Sequence, residues 1–192
     1  MIEQDKRGRE RRVAAEIDAW WRENQAQGRT SVLLGYSLGK SQEILASMRG
    51  AGLPVLMAGA AVKMTRIYES LGWSFPEYGR LDGAETSAAG HVVIAPPGAQ
   101  LDQVRRSVSG SRVAVVTGWA LDTSCRFRYG ADTAFPLSDH ADFPELVDFV
   151  RQVQPKRVFT LHGFAADFAN TLRHMGFDAR ALSEPDQLTF PI

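Results

Sequence analysis

Short apolar runs alternate with amphipathic stretches along most of this chain, and that alternation restricts the fold more than any other feature. SVLLGY (31–36), LPVLMAG (53–59), HVVIAPP (91–97), SRVAVVTGWA (111–120) and KRVFTLHG (156–163) are each the length of one strand. Several of them are apolar at successive rather than alternate positions, the pattern of strands buried on both faces. Between them lie segments with helical spacing: KSQEILASMRGAG, AVKMTRIYESLG, a polar stretch over 101–108, ADFPELVDFVRQV and FAADFANTLRHMG. This order predicts an α/β fold with a mostly parallel sheet and helices on its faces. A further helix is expected over about residues 6–27, where Val13, Ile17, Trp20 and Trp21 recur at helical intervals and Gly28 supplies a stop. The expected seams between sub-lobes are the Gly/Pro/Ser-containing interval 79–90 and the SVSGS turn at 107–111.

Composition narrows the class without naming it. The 192 residues are 44% hydrophobic and 23% charged, so a sizeable core is available. A formal net charge of zero means that any nucleic-acid partner must be met by a local basic patch. Cys125 is the single cysteine, which excludes an intramolecular disulfide and a CxxC zinc or redox motif. The longest apolar run, Leu53 to Val62, is about half of a bilayer span. The N-terminal stretch is basic without the apolar centre of a signal peptide, so a cytoplasmic location and no membrane partner are expected.

Ligands of open α/β sheets sit at the carboxyl ends of strands. Three segments carry able residues there: GYSLGK (35–40), SDHAD (138–142) and LHG (161–163). GYSLG has the Gly-x-Ser-x-Gly form of a nucleophile elbow, with a strand before it and a helix after it. Only 36 residues precede Ser37, however, too few for the strands and oxyanion loop that such a hydrolase places upstream. GYSLGKS also falls one residue short of a P-loop, whose amides must wrap phosphate in a nest of fixed size. What remains is a glycine turn offering amides, Ser37 and Lys40 to a phosphate at a helix N-terminus, or a packing turn with Lys40 in solvent.

His91 and His174 are read as surface residues. His140 and His162 are not. His140 stands at the entry to a helix beginning near Asp142, which Ser138 or Asp139 can cap, where an imidazole can act as proton donor, metal ligand or phosphate contact. His162 ends the KRVFTL strand and precedes Gly163, at the mouth of the sheet.

Taken in order, GYSLGKSQEIL, LPVLMAGAAVKMTRIYESLG, HVVIAPPGA, VVTGWA and SDHADFPELVDFVRQVQPKRVFTLHGF resemble the C-terminal half of the β-CASP metallo-β-lactamase nucleases. The nearest branch is that of the ligase-associated DNA exonucleases, also labelled mRNA 3′-end processing factor-like proteins. The resemblance runs from about Val13 to Leu182. It implies a bridging helix over 1–29, a β-CASP-type parallel-sheet lobe over 30–110 and the C-terminal half of a metallo-β-lactamase domain over 111–192. It implies metal-assisted phosphodiester hydrolysis with two zinc ions in the complete enzyme, His140 with Asp139 as the catalytic pair and His162 as a zinc ligand. It also implies nucleic acid as partner, DNA ahead of RNA, and association with an ATP-dependent DNA ligase and a helicase.

One departure is large. The family's His-x-His-x-Asp-His metal motif is absent from these 192 residues. The expectation is therefore a C-terminal portion of a longer nuclease, without stoichiometric zinc or activity by itself, with an apolar face left uncovered and homo-oligomerisation as one consequence. In TSCRFRYG, Arg126 and Arg128 alternate with Phe127 and Tyr129, a pattern suited to phosphate pairing and base stacking along a single strand. Two rivals stay open: a serine hydrolase using Ser37, and a metal-free nucleic-acid-binding module.

Overall fold

The computed structural model describes residues 2–48, 55–81, 90–98, 110–138 and 140–182. The chain forms two compact units, Met1–Asp139 and His140–Ile192. The first is built on six strands: β1 (Ser31–Leu34), β2 (Val55–Met57), β3 (Tyr78–Arg80), β4 (Val92–Ala95), β5 (Arg112–Val116) and β6 (Thr133–Phe135). They lie in the order β3-β2-β4-β1-β5-β6, and every pairing is parallel. β1 sits between β4 and β5, with Leu33 opposite Ile94 on one side and Ala114 on the other.

Both faces of this sheet are buried, which is why its central strands read as continuous apolar runs. One face gathers Leu33, Met57, Ile94 and Val116 with helix α1 (Ile2–Ala26), helix α2 (Lys40–Ser47) and helix α3 (Gly59–Ser70). From α1 come Val13, Ile17 and Trp21, the helical stripe expected from the sequence. The Trp20 ring meets Phe135 edge-on at 5.9 Å, so α1 reaches β6, while Asn24 donates to Ser31 on β1 at 2.9 Å. The opposite face gathers Val32, Leu34, Val93, Val113 and Val115 with Cys125 of the short helix α4 (Cys125–Tyr129).

The second unit is smaller. Helix α5 (Phe143–Val153), strand β7 (Val158–Thr160), helix α6 (Ala165–His174) and strand β8 (Ala179–Ala181) enclose a core of Val150, Ala169, Leu172 and Ala179. β7 and β8 pair in parallel as a two-stranded sheet. α5 leaves Leu146, Phe149 and Val153 exposed along one side, and β7 leaves Phe159 exposed with Leu161 just beyond it. An uncovered apolar surface of this kind was expected from the sequence.

The α/β class and the parallel sheet are as the alternation predicted. The expected seam at residue 110 does not interrupt that sheet, because β5 follows it and pairs with β1 along four residues. The compact division falls instead between Asp139 and His140. Within the expected 79–90 interval, Gly79 and Arg80 belong to β3. The expected helix over 101–108 lies outside the described residues, as do residues 49–54, where α2 was expected to end.

Leu33 is fully buried in the middle of the central strand. Leu33→Ala should lower unfolding free energy by about 2–5 kcal/mol in urea titrations, whereas Leu71→Ala, at an exposed helix end, should change it by less than about 0.5 kcal/mol.

Candidate functional site

From β1 the chain departs through α2 toward β2; from its neighbour β5 it departs through α4 toward β6, on the other side. The two connections run over opposite faces, as right-handed crossovers require. Adjacent strands whose connections diverge leave a crevice at their carboxyl ends, the place where open sheets bind ligands. GYSLGK follows β1 at this crevice, and TGWAL (117–121) follows β5. Tyr36 of GYSLGK shares a hydrogen bond between phenols with Tyr129, at the end of α4. That bond, with partial burial second, raises the Tyr129 phenol above its ordinary 10.0.

The GYSLGK turn is a packed turn. A Cβ added at Gly35 would meet Ile44 Cδ1 at 2.9 Å and Lys40 Cγ at 3.0 Å, so α2 folds back onto the glycine. Gly39 takes the left-handed region with φ 79°. The amides expected to face phosphate are engaged internally: Gly39 N–H donates to Gln42 Oε1, Lys40 N–H to Leu38 O, Ser41 N–H to Tyr36 O, and the amides of Gln42 and Glu43 to Gly39 O. Gln42 Nε2 donates to Ser37 O and to Thr65 Oγ1. Lys40 is 2% exposed, and its ammonium pairs with Glu43. Lys40 is therefore not in solvent, the second of the two alternatives read from the sequence, and its ammonium is engaged within the turn. Ser37 is held in the same turn by its own carbonyl.

Arg126 and Arg128 lie on α4, a single helical turn, and not on an extended loop. Alternate residues of a helix diverge by about 200°, so Arg126 and Arg128 leave α4 in different directions. Arg128 pairs with Asp122 at 3.2 Å and reaches Ser124 Oγ at 3.3 Å. The Ser124 amide and hydroxyl, with Arg128 adding to them, hold the Asp122 carboxyl below the usual carboxylate range. Arg126 has no carboxylate partner among the described residues. It lines a cavity of about 310 Å³ with the 120–123 turn and Thr133–Ala134. Burial raises the thiol of Cys125.

His140 and His162 belong to the second unit. His140 is exposed two residues ahead of Asp142, which is itself the α5 cap. Asp142 accepts from the Glu145 amide at 3.1 Å, and the Glu145 side chain accepts from the Asp142 amide at 2.9 Å. The expected capping by Ser138 or Asp139 is thereby corrected; Asp139 lies outside the described residues. His162 follows β7 and is exposed, with φ 65°, next to Gly163 with φ 55°. Thr160 closes this loop by donating to Ala165 O at 2.7 Å. Phe143, at the start of α5, meets Phe168, in the first turn of α6, edge-on at 5.5 Å. The two helix beginnings that the histidines precede are thus in contact. His174 ends α6, bonded to Asn170 O at 2.8 Å.

Among the described residues, no three of His, Cys, Asp and Glu cluster to hold a metal ion. Zinc takes three or four protein donors. The described part of the chain therefore does not by itself fit the zinc centre that the resemblance implies. Among the described residues no helix is long and apolar enough to cross a membrane.

Comparison with known proteins places these observations. Residues 133–182 match the RMMBL family, the Zn-dependent metallo-hydrolase RNA specificity domain. They span β6, both histidine loops and all the described residues of the second unit. Over those residues the chain is similar to the metallo-hydrolases that carry this domain, in keeping with the ligase-associated metallo-β-lactamase proteins its sequence resembles. Among individual proteins, it is 47% identical over 180 residues to a probable DNA ligase of Opitutus terrae. That match covers 94% of this chain and 18% of the relative, so the chain spans under a fifth of the length of the protein it matches.

Sequence reasoning missed Tyr36 as a partner of Tyr129 and the cavity beside Arg126. The strand order alone brings these segments together, and no local pattern announces it. Because the Tyr129 phenol is raised, its contribution to stability is complete below pH 10 and is lost as pH rises through its folded value. Tyr36→Phe should shift that titration back toward 10.0, read by phenolate absorbance, and should reduce the alkaline loss of stability above pH 10.

Proposed function

We propose that this chain is the C-terminal, nucleic-acid-handling portion of a zinc-dependent phosphodiester hydrolase, an exonuclease that trims DNA ends in a ligation or repair setting. The observation that carries this reading is the convergence of two histidine loops on one helix–helix contact within the matched metallo-hydrolase stretch. In the assignment we favour, 30–110 is the β-CASP-type lobe and 111–192 the returning metallo-β-lactamase half, with 1–29 joining them.

His140 stands before the amino end of α5, whose dipole favours an anion such as a phosphodiester. An imidazolium there protonates a departing oxygen, the work of a general acid. Asp139 precedes it in the chain and is proposed to orient it. His162, on a loop whose backbone is fixed by Thr160 and by left-handed residues, contributes one donor to a zinc centre. Zinc, when bound, would supply an activated water. The remaining donors have to come from elsewhere than the described residues. Lys40 and Ser37 carry no phosphate role in this reading, because the turn that holds them is internally bonded.

DNA is preferred to RNA because the relative with the wide coverage is named for DNA, although the matched domain is named for RNA specificity. A DNA ligase module is accordingly the proposed partner, with a helicase as a further associate. The second reading, a metal-free binding module, is favoured by the absence of a three-donor cluster among the described residues. A serine hydrolase based on Ser37 gains nothing here, since the amides that follow it already have acceptors.

Two measurements decide between these readings. The chain alone should bind less than one equivalent of zinc by equilibrium dialysis and should leave end-labelled DNA and RNA intact. In the Opitutus ligase-like relative, alanine at the positions aligned with His140 and His162 should reduce removal of labelled DNA ends by at least a hundredfold while ligation continues. End removal that is absent in that relative, or indifferent to both substitutions, would sink the nuclease reading and leave the binding module.

A further inference from the structure

The cavity of about 310 Å³ in the first unit is at the small end of ligand-sized pockets. One wall is the turn after β5, held by Thr117, whose hydroxyl accepts from the Trp119 amide at 3.3 Å. Another is Thr133–Ala134 of β6, and Arg126 of α4 stands at its side. Its charge is asymmetric. The negative charge that lines it, Asp122, is neutralised by Arg128 at 3.2 Å, while Arg126 has no carboxylate partner among the described residues. The net preference is for an anion. Thr123 and Thr133 add hydroxyls that donate or accept.

The apolar side is as distinctive. In the turn that forms the wall, Trp119 is 66% exposed and Leu121 82% exposed, and Phe127, beside Arg126, is 86% exposed. Large apolar side chains set out singly are ordinary, but here Leu121 lines the charged pocket, while Trp119 and Phe127 stand next in sequence to the lining residues Ala120 and Arg126. A ligand with one anionic group and one flat apolar face satisfies both halves. A phosphate joined to a base has those two parts, and the combination of cation and aromatic platform is how unpaired strands are held without regard to sequence.

We propose that this cavity holds one nucleotide of a single-stranded nucleic acid, its phosphate on Arg126 and its base against the Trp119–Leu121 edge. The inference rests on the nucleic-acid reading above and adds a position that neither the histidines nor the matched domain specifies. Arg126 and Trp119 are binding residues here, remote in role from bond cleavage.

Fluorescence anisotropy with labelled dT and rU decamers, over a range of salt, tests it on the intact chain. Arg126→Ala should weaken binding about tenfold and lower the slope of log affinity against log salt by about 0.7. Trp119→Ala should weaken binding at least fivefold without changing that slope, and Trp119→Phe should retain most of the affinity. Arg151→Ala, an exposed arginine of the second unit paired with Asp148, is the control and should match wild type. Far-UV circular dichroism checks that the surface variants fold. Wild-type binding with both variants within twofold of it would overturn this subsite and leave the nucleic-acid reading standing. Loss with Arg126→Ala but none with Trp119→Ala would overturn the base contact. No binding by the wild-type chain to either decamer would overturn the subsite, and end removal by the relative would then show whether the broader reading survives.

Discussion

Burial of β1 on both faces is the constraint from which the rest of the first unit follows. Val32 and Leu34 point into one apolar layer and Leu33 into the other, each without solvent contact. A strand in that position needs parallel neighbours on either side and cover above and below. α1, α2 and α3 provide the cover on one face. Because β1 leads to one side of the sheet and β5 to the other, their loops part at the carboxyl edge. The crevice there is a consequence of packing, and the residues that open onto it inherit their position from the core.

Much of this was legible in the sequence for one physical reason. A strand buried on both faces must be apolar at consecutive positions, and SVLL, VLM, VVIA and VAVV each display that demand. Elements that do not carry it went unread. β3 is Tyr-Gly-Arg, β6 Thr-Ala-Phe and β8 Ala-Arg-Ala, three residues each at sheet edges where burial is partial. α4, at five residues, is too short for any period to show. Turn residues mark a break in the chain path, whereas strand order, invisible locally, decides which segments share a sheet: β5 follows residue 110 and pairs with β1.

The site was legible in its residue types and illegible in its geometry. GYSLGK offered a serine, a lysine and glycines, and three chemistries could be fitted to that string. Gly35 is there because α2 approaches too closely for a Cβ, and Gly39 because the backbone turns left-handed. The lysine is a buried member of an ion pair. His140 and His162 take their places from the elements they adjoin, one at a helix entry and the other at a strand end. Their relation through Phe143 and Phe168 required the tertiary structure.

The two units therefore contribute unlike chemistry. The first presents Arg126, with no carboxylate partner among the described residues, near exposed aromatic side chains, a pairing able to hold a strand. The second presents two imidazoles at helix entries, able to move a proton or donate to a metal, yet short of the donors that zinc needs. Among the described residues, neither set brings together the three or four donors that zinc takes. The 18% share of a ligase-named relative is consistent with such a division, in which a folded segment serves within a far longer chain.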